Sequence, residues 1–213
     1  MKKLKVLVIV MFSSVMMAFG QEAKADAILE AMSAKYKKMQ TFKADFSYAT
    51  VSSAGKMGRK RTGQIAVKGV KFKLNMVGQE IYNNGSEIYS FVKETNEVNI
   101  TEYDDSADSQ FSPANIYNIY KKGYKYKYNG STNISGTSYD VVELVPIKKN
   151  NVSKVELVVD KNSKILKRWK LWDSSGKQTV FDVSNFVANP TLSDSYFKFN
   201  TANYPGVEVV DLR

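Results

Sequence analysis

The chain has 213 residues and a formal net charge of +10, from 31 basic against 21 acidic side chains, and it contains neither histidine nor cysteine. Those two absences exclude Ser-His-Asp and Cys-His nucleophiles, zinc sites built on His or Cys, His-held haem, disulfides and a lipid-modified N-terminal cysteine. The length suits one domain; the basic excess reads either as the wet back of a sheet or as attraction to an acidic partner or an anionic membrane, and no nucleic-acid motif accompanies it.

Residues 1–20 predict a secretory signal. Lys2, Lys3 and Lys5 form a positive start, Val6 to Phe19 is apolar apart from Ser13 and Ser14, and Ala18-Phe19-Gly20 offers small residues for cleavage near Gly20-Gln21. The run is short and lopsided for a membrane span. Residues 21–213 are then expected to fold as a single exported domain. It opens with a helix from about Lys24 to Gln40, in which Ile28, Leu29, Met32, Tyr36 and Met39 recur at helical spacing.

Thr41 to Val51 predicts the first strand, with Phe42, Ala44, Phe46 and Tyr48 available to its faces. Ser53 to Thr62, carrying Lys56, Arg59, Lys60 and Arg61, reads as a hairpin connection. Gly63 to Met76 reads as one basic strand with Phe72, Leu74 and Met76 on one side and Lys71, Lys73 and Asn75 on the other. After a turn at Asn83-Asn84-Gly85, Ser86–Lys93 and Glu97–Tyr103 follow as strands. Period-two alternation makes this a sheet with one apolar and one wet face.

Asp104 to Gln110 is an acidic loop, and Ser112-Pro113 starts a short second helix whose apolar side is Ile116, Ile119 and Tyr120. Tyr124, Tyr126 and Tyr128 alternate with lysines, and Asn129-Gly130 predicts a turn. Tyr139–Val145, Ser153–Asp160, Ile165–Trp172 and Gln178–Phe186 are further strands, Ser193 to Ser195 makes one helical turn, and Phe197 to Val210 forms the tail. The sum is a mainly β fold: a curved sheet or incomplete barrel of about ten to eleven antiparallel strands with two helices.

The acids are the only candidates for acid–base catalysis. Asp104, Asp105 and Asp108 share one loop, and Trp169 and Trp172 lie near one strand end, which leaves a secreted carbohydrate-active enzyme or glycan binder as an alternative. No carboxylate pair with defined spacing and no EF-hand loop appears, so neither catalysis nor a metal or cofactor is expected. The apolar sheet face needs a cover, and the two amphipathic helices are available for it. Packed tightly they make an ordinary core; packed loosely they leave a pocket for an apolar ligand. Periodicity leaves both open.

The order of features resembles the LolA family. It is carried by the signal, the amphipathic helix, Phe42-Lys-Ala-Asp-Phe46, the Gly63 strand, Asn84-Gly-Ser-Glu-Ile-Tyr-Ser-Phe91, Phe197-Lys-Phe199 and Tyr204-Pro-Gly-Val-Glu-Val-Val-Asp211. The resemblance implies an incomplete barrel closed by a helical lid, here Pro113 through Tyr120, over a cavity for the acyl chains of lipoproteins. It also implies a monomeric periplasmic carrier that is not an enzyme. Such a carrier is loaded by an inner-membrane lipoprotein-release ABC transporter and unloaded at an outer-membrane acceptor. Matched by position, the cavity is expected to be lined by Phe46, Phe72, Leu74, Met76, Ile88, Ile116, Ile119 and Tyr120, with Lys68 in the place of a lid-gating arginine.

Overall fold

The computed structural model describes residues 2–104, 116–121 and 123–213. A helix, α1 (Lys2–Lys37), runs unbroken through the expected signal segment into the amphipathic stretch. The expected start near Lys24 is thus replaced by a start at Lys2, because Gln21, Glu22 and Ala23 offer nothing that interrupts a helix. Lys35 and Lys37 occupy its last turn, where cations suit the helix dipole.

Six strands follow: β1 (Thr41–Val51), β2 (Arg61–Lys68), β3 (Lys71–Met76), β4 (Gln79–Asn83), β5 (Glu87–Val92) and β6 (Glu97–Glu102). After a 3-10 helix at Ile116–Lys121 come β7 (Tyr124–Ile134), β8 (Thr137–Pro146), β9 (Val152–Asp160), β10 (Leu166–Asp173) and β11 (Gln178–Ala188). Two 3-10 turns, Asp194–Phe197 and Thr201–Asn203, precede β12 (Glu208–Asp211). All twelve strands form one sheet in the order β12-β6-β5-β4-β3-β2-β1-β11-β10-β9-β8-β7. β12 and β7 lie at opposite edges, so the curved sheet is open and not a closed barrel.

Four sequence expectations change. The stretch 63–76 is a hairpin, because Gly69 takes φ +59° and turns β2 into β3 across two residues, as a type II′ turn requires. Val77-Gly78 is another two-residue turn, so Gln79–Asn83 forms a further strand, β4, where no strand is expected from the sequence. Asn129-Gly130 is a bulge within β7: Tyr128 pairs with Val142 and Ser131 with Asp140, leaving one extra residue, and Gly130 takes φ +90°. β12 pairs parallel to β6, so the sheet is not wholly antiparallel.

Alternation in β3 puts Phe72 and Leu74 into the core on the inner face and Lys71 and Lys73 on the outer face. Farther along the sheet the outer face is not wet. Tyr82, Phe91 and Val98 are buried there under the C-terminal segment, with the Phe199 ring 5.7 Å and the Tyr204 ring 4.4 Å from that of Phe91. The sheet thus buries apolar side chains on both faces, under α1 on one and under the C-terminal segment on the other.

Candidate ligand-binding site

The inner wall begins with Phe42, Ala44 and Phe46 of β1, continues through Ile65 and Val67 of β2 and reaches Phe72 and Leu74 of β3. On the other side of β1 it includes Val142, Leu144, Val155, Leu157 and Trp169. β-branched and aromatic residues at alternate positions fit a pleated, half-buried surface. α1 lays Ala25, Ile28, Leu29, Met32 and Tyr36 on this wall, and the 3-10 helix adds Ile116, Ile119 and Tyr120.

Polar side chains tie the two parts of the cover together at its rim. Ser33 Oγ donates to Asn118 Oδ1 at 2.6 Å, and Glu30 accepts from the Tyr120 hydroxyl at 2.8 Å and from the Lys121 ammonium at 2.7 Å. Hydrogen bonds from Lys121 and Tyr120 hold the Glu30 carboxyl below the usual glutamate range. Tyr126 donates to Asp26, linking α1 to β7. Deeper in, the Tyr36 ring stacks on Tyr117 at 4.7 Å, and burial pushes its phenol well above the ordinary range.

Among the described residues the wall and cover mesh closely. The void between Tyr36, Phe46, Ile65, Ile116, Trp169 and Phe186 measures about 30 Å³, room for one water and not for an acyl chain. A larger cleft, about 610 Å³, opens at the end of the sheet where β1 leads into β2 and β3 turns into β4. Phe46 and Met76 line it together with Asp45, Lys60, Gln64 and Val77.

Six of the eight cavity residues expected from sequence, Phe46, Phe72, Leu74, Ile116, Ile119 and Tyr120, belong to one buried cluster. Met76 is half-buried against that cluster. Ile88 is half-buried two strands out from Phe72, across from Asn83. Asn83 was missed. It is fully buried opposite Phe72, its Oδ1 accepts from the Gly85 amide, and its Nδ2 has no partner among the described residues. Lys68 lies on the outer face, where its ammonium donates to the Leu192 carbonyl at 3.1 Å and pairs with Asp194 at 2.8 Å. Those contacts are with the C-terminal segment and not with the helical cover. Of the lid expected at 113–120, residues 113–115 lie outside the described residues, and the remainder is 3-10 and not α-helical.

Among the described residues the alternative site is not assembled. Trp169 is in the core, stacked on Phe181 at 4.6 Å, and the Lys154 ammonium sits 4.1 Å over the Trp172 ring. Asp105 and Asp108 lie outside the described residues. Among the described residues no carboxylate cluster could hold a metal ion.

The family model of the outer membrane lipoprotein carrier protein LolA matches residues 37–200. The chain belongs to the LolA family. No curated protein matches it in sequence. Among solved structures, an uncharacterised conserved protein from Thermus thermophilus superposes with a TM-score of 0.60 at 12% identity, over 88% of this chain and 99% of that one. The LolA superfamily protein NE2245 from Nitrosomonas europaea gives a TM-score of 0.44 at 16% identity, over 82% and 97% of the two chains. LprF from Mycobacterium bovis gives 0.47 at 12% identity, over 81% and 97%. The first of these supports a shared fold. Within the LolA family frame, α1 and the Ile116–Lys121 helix stand as the cover and β1–β3 with β8–β10 as the wall.

Proposed function

We propose that this LolA family member is a periplasmic carrier that shelters the acyl chains of lipoproteins between α1 and the inner sheet face and delivers them from the inner to the outer membrane. The observation that carries the reading is the division of the core: the apolar wall belongs to the sheet, while its cover is built from two segments that reach the wall mainly through side-chain packing. Such an interface can open without breaking the strand ladder. The void at Tyr36, Phe46 and Ile116 is too small for an acyl chain, so loading there requires the cover to lift.

The energies are compatible with that exchange. Uncovering Ile28, Leu29 and Met32 costs about 1.5–3 kcal/mol each, about 5–9 kcal/mol together. Sheltering an acyl chain of about twelve methylenes contributes about 10 kcal/mol. Cargo that covers these three side chains in turn offsets their exposure, and an empty protein closes over them. No reactive group is needed for this work. The donor consistent with the reading is an inner-membrane lipoprotein-release ABC transporter, and the acceptor lies at the outer membrane.

Native mass spectrometry of the protein taken directly from the periplasm tests the proposal. A bound lipid or acylated peptide is expected. A protein that emerges empty and also fails to take up an acyl fluorophore is not a carrier.

A further inference from the structure

One end of the sheet gathers cations and exposed apolar side chains on successive loops. β1 ends at Val51 beside Gln178, β3 turns into β4 between Met76 and Gln79, and Asp173 of β10 pairs with Val152 of β9. The β1–β2 hairpin, the β3–β4 turn, the β10–β11 turn and the β8–β9 loop therefore share this end. They are neighbours: Lys60 and Val77 line one cleft, Lys56, Met57 and Lys177 line another, and the Ser174 amide donates to the Asn151 carbonyl at 3.2 Å.

Lys56, Arg59, Lys60, Lys148, Lys149 and Lys177 are exposed on these loops, and none of them forms a salt bridge among the described residues. Between them project Met57, Val77 and Ile147, which are 63%, 63% and 61% exposed. Among the described residues the acids at the tips of this end are Asp173, Glu94, Glu97 and Glu208, the last paired with Glu97 across β12 and β6. Asp173 accepts from the Ser175 and Lys177 amides, and Glu94 and Glu97 flank the β5–β6 turn beyond Val77.

We propose that this rim docks the protein on the surface of an anionic phospholipid bilayer, with the cations on headgroup phosphates and Met57, Val77 and Ile147 in the interface. Single apolar tips held on separate loops and set among cations suit a bilayer, which needs no shape complementarity. A protein partner of comparable affinity needs a contiguous patch of about 800 Å² per side. Docking brings the cleft that reaches Phe46 and Met76 to the membrane. The purpose of the docking rests on the carrier reading; the docking itself rests on the rim.

Co-sedimentation of the exported protein with vesicles of phosphatidylcholine containing about 30% phosphatidylglycerol tests it, since each surface cation strengthens such binding about fivefold. Binding to these vesicles, little binding to pure phosphatidylcholine, and loss of binding at about 1 M salt are expected. The triple variant K56E/R59E/K60E is expected to bind at least about 100-fold more weakly. K35E/K37E/K38E changes net charge equally at the far end of α1 and is expected to bind nearly as wild type. M57S/I147S is expected to weaken binding without changing its salt dependence.

Equal loss in the two triple variants, or equal binding to pure phosphatidylcholine, overturns the proposal. So does full protection by polyglutamate at charge parity with the lipid, which assigns the rim to an acidic protein instead. Acyl-fluorophore uptake, read on the same samples, separates the two readings. Uptake without vesicle binding removes the docking and leaves the carrier. Vesicle binding without uptake removes the carrier and leaves the docking.

Discussion

The Lys68 ammonium lies 2.8 Å from the Asp194 carboxylate, on the sheet face opposite the Phe72 side chain, and Lys71 reaches the same carboxylate at 2.9 Å. Two lysines one hairpin turn apart thus fasten the C-terminal segment where it begins to cross the outer face. The bonds from Lys68 and Lys71 hold the Asp194 carboxyl at about 2. A lowered folded pKa contributes stability that is whole above the ordinary aspartate range and fades as the pH falls toward about 2. Asp194→Asn is expected to speed amide exchange over 192–199 several-fold near neutral pH while leaving the melting temperature nearly unchanged, since exposed pairs contribute little. The difference between variant and parent should shrink toward about pH 2.

Farther along the same segment, Glu80 is buried and accepts from the Tyr82 hydroxyl at 2.7 Å and the Tyr204 hydroxyl at 2.9 Å, with the Lys93 ammonium 2.8 Å from its other oxygen. Burial pushes the Glu80 carboxyl up, but Lys93 and the two phenols outweigh it and hold the group below its usual range. Tyr204→Phe keeps the ring against Phe91 and Phe199 and is expected to lose about 1 kcal/mol in urea unfolding. Tyr204→Ala removes the ring as well and should lose about 3 kcal/mol or more.

Gly63 sits in β2 with the Phe46 ring over it. A Cβ there would lie 2.4 Å from Phe46 Cζ and 2.7 Å from the Asn75 carbonyl oxygen. The ring can turn aside but the backbone oxygen cannot, so Gly63→Ala is expected to destabilise by about 1–3 kcal/mol. The same displacement of Phe46 should alter acyl-fluorophore affinity. Unchanged stability would show that β2 and β3 can part locally.

Glu30 joins α1 to the 3-10 helix through Tyr120 and Lys121. Glu30→Gln weakens both bonds without touching the apolar wall. Under the carrier reading, stopped-flow measurement of acyl-fluorophore association should show uptake several-fold faster, with the unfolding midpoint nearly constant. Because the Glu30 carboxyl is held below its usual range, the contact is complete above the ordinary glutamate range and is lost as the pH falls through the lowered value. Wild-type uptake should quicken in that acidic window and the variant should not.

Leu74 and Phe72 are 3% and 7% exposed, so a charged residue at either position perturbs the core itself. Leu74→Ala is the cleaner probe. It is expected to cost about 2–5 kcal/mol, less where the site can collapse, and to enlarge the space available to an apolar guest.

Several elements were legible in the sequence because their signals are local. The Ile28-Leu29-Met32-Tyr36 stripe, the alternation of β3 and the strands from Tyr139 to Phe186 follow from side-chain period alone, and the structure keeps them. Local spacing is silent where turn chemistry is decisive. Gly69-Val70 and Val77-Gly78 are turns of two residues inside an apolar and basic run, so the hydrophobic pattern does not pause there. Asn129-Gly130 has the composition of a hairpin turn but is held as a bulge by pairing that continues on both sides.

The sequence by itself determined two things: the lack of histidine and cysteine removes the chemistry that needs them, and side-chain alternation sets an apolar sheet face for an amphipathic helix to cover. Only the tertiary structure decided that the void at Tyr36, Phe46 and Ile116 is too small for an acyl chain, that Lys68 faces Asp194 and not the cover, and that loops distant in sequence unite Met57, Val77 and Ile147 with cations at one end. The reason is physical. Period reports which side of an element a residue occupies, whereas contact between elements depends on register, curvature and chain path, none of which leaves a trace in local spacing.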